Sequence, residues 1–364
     1  MNILNSAFFL GSIIGSIICG PLGDIYGRKK PYLLSFSFFI VCQVGIAFSQ
    51  NFIFYCILRC IFGIILGFVM TFSSTYISES LPPNIRGKGM MLFGISYSLG
   101  AQYACLIAFL VLDSIERGNW RALVLLTCLL SIISSTICFF FLQESPRYLV
   151  TAGKKEEFKT VLPIIMRQNK KSIDEVSEDE IDRLFVWAED QRNFRGGSFG
   201  NPALLFSKKL KLITPLIWTL WFIGMVCYYG IIFHLPETME KIDEELNIKD
   251  QQKQDFGSIY LSTLTELPSN ILCFFIIERK FFGRKNTILI NFIFCGISCA
   301  LTYLVFTIWE SKEMFIVFST AARFFISNVS SINATFALEN YPTNLRVTGL
   351  GIAAAIGNLG GIYH

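Results

Sequence analysis

Ten runs of mostly apolar residues dominate this 364-residue chain, at about 4–20, 31–49, 52–76, 88–112, 120–142, 211–233, 256–277, 287–308, 313–338 and 346–364. A helix needs about 20 such residues to cross about 30 Å of hydrocarbon. Within hydrocarbon each segment must satisfy its own backbone N–H and C=O groups, so runs of this kind form helices. The expected fold class is an all-α polytopic membrane protein with about ten transmembrane helices. The first run has no basic flank before it, and a charged turn leads straight into a second run. It therefore reads as a membrane helix rather than a secretory signal.

Composition agrees with a lipid solvent. Hydrophobic residues make up 53% of the chain and charged ones 16%, against roughly 25% charged in ordinary soluble domains. The net charge of +4 is small and scattered, which argues against a nucleic-acid partner. All eleven Cys lie inside apolar runs. Cys56/Cys60 and Cys295/Cys299 share helix faces at i,i+4, but with no His or carboxylate beside them they read as packing residues. No cofactor, metal site or disulfide framework is expected.

The basic residues set the orientation. Alternate connections hold 23 of the 31 Lys and Arg, among them Arg28, Lys29 and Lys30, Arg86 and Lys88, Arg279 to Lys285, and Arg346. Positive charge stays cytoplasmic, so these connections face the cytosol and both chain ends face outward. One connection is long and polar. Residues 143–210 contain "SIDEVSEDEID" (172–182) and a Gly-Gly-Ser break at 196–198, and divide five runs from five. The expected organisation is an N-terminal bundle at 1–142, a cytoplasmic linker with short helices at 143–210, and a C-terminal bundle at 211–364. The acidic run reads as a solvated helix face, with a partner-binding tail as the alternative.

The chain repeats itself. Gly27-Arg28-Lys29 in "GDIYGRKK" returns as Gly283-Arg284-Lys285, and "ESLPPNIRGKG" (79–89) returns as "ENYPTNLRVTG" (339–349). Before each copy of the second motif an Arg lies inside a run, Arg59 and then Arg323. Three features recurring in order mark two similar bundles related as parallel repeats, the pattern of a transporter built from two halves. Asp24 and Arg28 stand i,i+4 across the first turn. Glu79 and Arg86 flank a Pro-containing reversal, as do Glu339 and Arg346. The repeated set reads as a cytoplasmic latch of ion pairs, a switch between states separated by a few kcal/mol; taken singly, the same charges are topology signals.

These motifs resemble those of the major facilitator superfamily. "GDIYGRKK" is similar to its signature turn after the second helix, and "QESPRYLV" (143–150), with Glu144 and Arg147, to the motif closing its N-terminal half. "YYG" (228–230), "TELP" (265–268) and "NLGGI" (358–362) resemble the branch of organic cation and anion transporters and synaptic-vesicle glycoproteins. The resemblance runs along the whole chain and implies the two-bundle fold. It also implies departures. Lys280 stands where the first turn has Asp24, with Glu278 two residues earlier as a substitute, and Gln143 stands where the family has Pro. By family spacing the chain starts at the second of twelve helices and stops within the eleventh, so an incomplete chain is expected, with a degenerate member as the alternative.

An ionisable group at the bilayer centre costs about 2.5–3.5 kcal/mol on insertion scales and needs a partner or a task. Glu266 lies mid-run, two residues before Pro268; it reads either as a binder of a cation or proton, or as half of a buried pair. The resemblance implies that Arg59 has lost a carboxylate partner on the absent first helix, leaving it to water or substrate, with Arg323 as its repeat mate. Tyr228 and Tyr229 offer ring faces to an organic cation, with belt or packing roles as the alternative. Gln102 and Asn270 are polar groups within runs. Asn358 aligns where, by the resemblance, cation carriers tend to have Asp and anion carriers Arg. Its neutral amide implies either a neutral or zwitterionic substrate or an organic ion whose charge is read elsewhere. The sequons at Asn328 and Asn333 fall inside a run and are discounted. His234 and His364 form no catalytic or metal set, and no enzyme chemistry is expected.

The function expected is alternating-access transport of a small organic solute, with a coupling ion such as H+ or Na+, in a bilayer that is the plasma membrane rather than an internal one. The alternatives are a transporter-like protein with a binding or trafficking role, and a sugar-porter-type carrier.

Overall fold

In the computed structural model, residues 2–112, 118–171, 176–194, 201–245, 252–309, 311–342 and 345–362 are described. They form α1 (Asn2–Tyr26), α2 (Lys29–Ala47), α3 (Phe52–Ser80), α4 (Arg86–Val111) and α5 (Trp120–Phe141); then the short α6 (Pro146–Ala152), α7 (Lys155–Gln168) and α8 (Glu178–Phe194). After them come α9 (Ile213–Glu245), α10 (Gln252–Leu264), α11 (Glu266–Ile276), α12 (Gly283–Leu304), α13 (Lys312–Ile326), α14 (Val329–Asn340) and α15 (Arg346–Ile362). Helices α1–α5 and α9–α15 make two bundles, with α6–α8 between them in sequence.

Among the described residues, nine stretches are long and apolar enough to span a bilayer, and α15, at 17 residues, supplies a tenth apolar helix. Their outer faces need lipid. Phe140 and Phe141 on α5 are 70% and 71% exposed, which water would not tolerate over a patch of this kind. Ends are set locally. Asn51 and Asn119 cap α3 and α5 by accepting from Ile53 N–H and Ala122 N–H. Ser145 caps α6 ahead of Pro146, and left-handed Gly153 ends it.

Two expected single spans are each two helices. Pro268 lacks an N–H for the Leu264 carbonyl, and the span expected at 256–277 breaks between α10 and α11 at that point. The 313–338 span breaks at Ser327 and Asn328. The two breaks are stitched together: Ser269 Oγ donates to the Phe324 carbonyl and Asn328 Nδ2 donates to Ser269 Oγ at 2.8 Å.

The matching contact in the N-terminal bundle is solved by removing side chains. A Cβ on Gly11 would stand 2.0 Å from the Cys60 carbonyl oxygen, and one on Gly63 would stand 2.1 Å from that of Phe8. Glycine lets α1 and α3 touch backbone to backbone.

Candidate functional site

Two places combine polar chemistry with position: the end of the molecule carrying the charged turns, and a cavity between the bundles.

At the charged end, Gly27 (φ +92°) turns the chain from α1 into α2. The turn sends Arg28 inward, where it is 2% exposed. Its Nη2 meets Glu79 Oε1 at 2.8 Å and its Nη1 donates to the Gly23 carbonyl at 2.8 Å. Glu79 Oε2 accepts from Ser145 Oγ at 2.6 Å. Glu144 is spent on backbone: its Oε1 accepts from Arg28 N–H at 2.8 Å, Lys29 N–H at 3.2 Å and Ser145 N–H at 2.9 Å, which caps the start of α2. The Tyr148 ring lies under Arg28, 4.7 Å from centroid to guanidinium carbon, and its hydroxyl donates to the Ile25 carbonyl at 2.8 Å. Burial holds the Tyr148 phenol above its ordinary value, against the pull of Lys154 and Arg28, so it remains a neutral donor.

The second charged turn is built differently. Arg284 Nη1 meets Glu278 Oε2 at 2.7 Å, and its Nη2 meets Glu339 Oε1 at 2.9 Å. Glu278 thus takes the place that Lys280 could not. Asp24 lies in α1, but its side chain is outside the described residues. Three expected latch members form no ion pair among the described residues: Arg86, Arg147 and Arg346. Glu79 and Glu339, the carboxylates expected for Arg86 and Arg346, are held by Arg28 and Arg284 instead. Among the described residues, Arg147 and Arg346 donate to the carbonyls of Leu81 and Tyr341, each at 3.4 Å.

Between the bundles lies a cavity of about 160 Å³, lined by α1, α3 and α4 on one side and α9, α14 and α15 on the other. Its polar surface is hydroxyl and amide: Ser12, Ser16, Thr71, Ser74, Ser330 and Ser331, with Tyr97, Tyr228, Tyr229 and Asn358. Phe8, Phe93 and Trp221 supply ring faces. Among the described lining residues none carries a formal charge. Asn358 Nδ2 donates to Ser12 Oγ at 2.8 Å, joining the two bundles across the cavity wall.

Of the residues expected to meet substrate, Tyr228, Tyr229 and Asn358 line this cavity. Glu266 and Arg323 stand behind it as a buried pair, Nε to Oε1 2.8 Å, with the Tyr228 hydroxyl donating to Glu266 Oε1 at 3.2 Å. Neither is a bare charge facing substrate; mutual neutralisation is the cheaper arrangement in hydrocarbon. Arg59 lies outside the lining, with the Phe8 and Tyr55 rings 5.9 and 6.0 Å from its guanidinium carbon. Gln102 also lies outside it, one turn beyond Ser98, which accepts from Asn270 Nδ2 at 3.1 Å. The serines were missed because a hydroxyl in an apolar helix usually bonds its own backbone. Ser74 and Thr71 do so, donating to the carbonyls of Met70 and Gly67.

Residues 1–363 match the family described as sugar (and other) transporter. The chain belongs to that family, within the major facilitator superfamily. It is a multi-pass membrane protein. It is 28% identical to the synaptic vesicle 2-related protein of Xenopus laevis, over 99% of this chain and 64% of that protein. It is 25% identical to organic cation/carnitine transporter 7 of Arabidopsis thaliana, over 99% of this chain and 76% of that one. The chain thus spans just under two thirds of the Xenopus relative's length. Among solved structures it resembles the proton:xylose symporter XylE bound to 6-bromo-6-deoxy-D-glucose, with a TM-score of 0.78 and 19% identity over 100% of this chain and 77% of that one. That likeness concerns the fold.

Proposed function

We propose that the protein is a secondary transporter that carries a small organic solute across a membrane by alternating access. The observation that supports this most is the cavity. It lies between two bundles, three helices from each, and a void near 150 Å³ accommodates one six-membered ring. With hydroxyls, one amide and ring faces but no formal charge, it suits a neutral or zwitterionic solute better than a strongly ionic one. Charged or isosteric competitors would leave buried polar groups unpaired or a charge unsolvated.

The organisation that goes with this reading is an N-terminal bundle at 1–142, a cytoplasmic linker at 143–210 and a C-terminal bundle at 211–364, with the charged turns on the cytosolic side. The coupling ion is H+ or Na+. The fold neighbour XylE is a proton:xylose symporter, which makes H+ the first ion to test. The plasma membrane is the proposed location; likeness to a synaptic vesicle 2-related protein favours a vesicle membrane as the second.

The test is uptake into proteoliposomes of labelled cations, anions, zwitterions and neutral sugars, under imposed proton or sodium gradients. Saturable uptake of the neutral or zwitterionic class, reduced by Asn358→Ala, is expected. Absence of protein-dependent uptake in all four classes under both gradients would exclude the reading and leave a binding or trafficking role.

A further inference from the structure

Among the described residues of the charged end, the carboxylates run out before the arginines do. Glu79 and Glu144 are committed to Arg28, Ser145 and the α2 N-terminus, and Glu278 and Glu339 to Arg284. Arg86 and Arg346 are only 6% and 8% exposed. Arg86 Nε and Arg346 Nη1 are buried without a hydrogen-bond partner. A guanidinium stays charged and presents five donors, so leaving a buried nitrogen of each without an acceptor is costly.

The contacts around them converge on one seam between the bundles. Arg147 Nη2 donates to the Leu81 carbonyl, which carries it to the turn joining α3 and α4, where Arg86 begins the next helix. Gly87, beside Arg86, lies against the C-terminal bundle: a Cβ there would stand 2.6 Å from Glu278 Oε1. Gly20 and Gly23 on α1 lie against Thr348 and Val347, next to Arg346, and the Gly23 carbonyl accepts from Arg28. Arg86, Arg147 and Arg346 lie near enough to act electrostatically on one another, with Glu79 and Glu339 also within reach. Ile85, at the N-cap of α4, offers no side-chain acceptor to the first-turn N–H groups.

We propose that this seam binds a phosphate-class anion, held between Arg86 and Arg147 on one bundle and Arg346 on the other. A tetrahedral oxyanion has acceptors enough for several guanidinium forks, whereas chloride offers a single point. The uncapped α4 terminus adds further donors of the right polarity. Bridging the two bundles, the anion holds the charged end shut and favours the closed state. The phosphate group has two sources, free phosphate and the phosphomonoester of a lipid headgroup, and the chemistry of the seam serves both.

The test uses the whole chain and reads binding, not transport, so its failure leaves the proposed function standing. In detergent, the unfolding midpoint followed by tryptophan fluorescence is compared in inorganic phosphate and in chloride of equal ionic strength. In phosphate-free buffer, it is compared in phosphatidylcholine nanodiscs with and without phosphatidylinositol 4-phosphate. A saturable rise is expected in at least one arm, and the arm that responds identifies the source. Arg86→Gln and Arg346→Gln should each weaken the effect on the order of tenfold. Should either variant fail to fold, Arg147→Gln, at the partly exposed member, gives the same readout. No rise in either arm overturns the proposal, as does a rise that the variants retain in full.

Discussion

Arg28 and Arg284 occupy matching places in the two charged turns. Each reaches the glutamate that closes a later helix of its own bundle, Glu79 on α3 and Glu339 on α14. Their surroundings differ sharply. The Arg28 and Glu79 side chains are 2% and 0% exposed, while those of Arg284, Glu278 and Glu339 are 20%, 18% and 25% exposed. The cause is α6, whose Ser145 and Tyr148 cover the first turn and bond to it. Among the described residues nothing equivalent covers the second turn, which recruits Glu278 instead. One motif thus yields a sealed joint in one bundle and a wetter, adjustable one in the other. Breaking a buried pair leaves a bare charge and costs about 3–5 kcal/mol, whereas exposed pairs contribute about 0–1 kcal/mol.

The largest expected effect tests that difference directly. Glu79→Gln should destabilise the protein by about 3–5 kcal/mol and Glu339→Gln by about 1 kcal/mol or less, measured as denaturant unfolding of both variants in the same detergent. Equal losses would show that burial does not separate the two joints. Next come the glycines of the turns. Gly283→Ala should cost about 1–2 kcal/mol of left-handed backbone strain, since its φ is +53° and its surroundings are open. Gly27→Ala should cost more, by about 1–3 kcal/mol, because its Cβ would stand 2.4 Å from Glu144 Oε2. Thermal midpoints of the two variants give the comparison.

A smaller effect belongs to the cover itself. Tyr148→Phe removes the hydroxyl that donates to the Ile25 carbonyl and should cost about 1 kcal/mol; faster hydrogen exchange confined to the α1–α2 turn is the signature to look for. The smallest is expected at a third setting, the exposed Lys159–Glu178 pair joining α7 to α8. Lys159 holds the Glu178 carboxyl below its ordinary value. Its stabilisation is therefore present above the ordinary carboxylate range and lost as pH falls through the folded value. The small difference between wild type and Glu178→Gln should accordingly vanish in acid.

Much of this was legible in the residues. Apolar length marks the spans, and the two-bundle repeat shows in Gly27-Arg28-Lys29 against Gly283-Arg284-Lys285. Substitution of Glu278 for the missing acid at position 280 was also readable, because a carboxylate two residues away still reaches Arg284. The partners of Glu79 and Glu339 were not. Arg86 and Arg346 are nearer in sequence, yet the helix reversal that separates each from its glutamate leaves that carboxylate facing the other turn. The cavity was half legible: aromatic Tyr228 and Tyr229 and the amide of Asn358 stand out in apolar runs, while serines do not.

Apolar span length, the charge on alternate connections and the duplicated motifs depend on local composition and order, so the chain by itself determined the membrane class, the repeat and the approximate helices. Pairing depends on which helix faces meet. Only the tertiary structure decided that Glu266 neutralises Arg323, that Arg28 is sealed while Arg284 is not, and that among the described residues Arg86 and Arg346 meet no carboxylate. In hydrocarbon and at its border, a charge answers to whatever group lies within a few ångströms, and sequence distance says little about that.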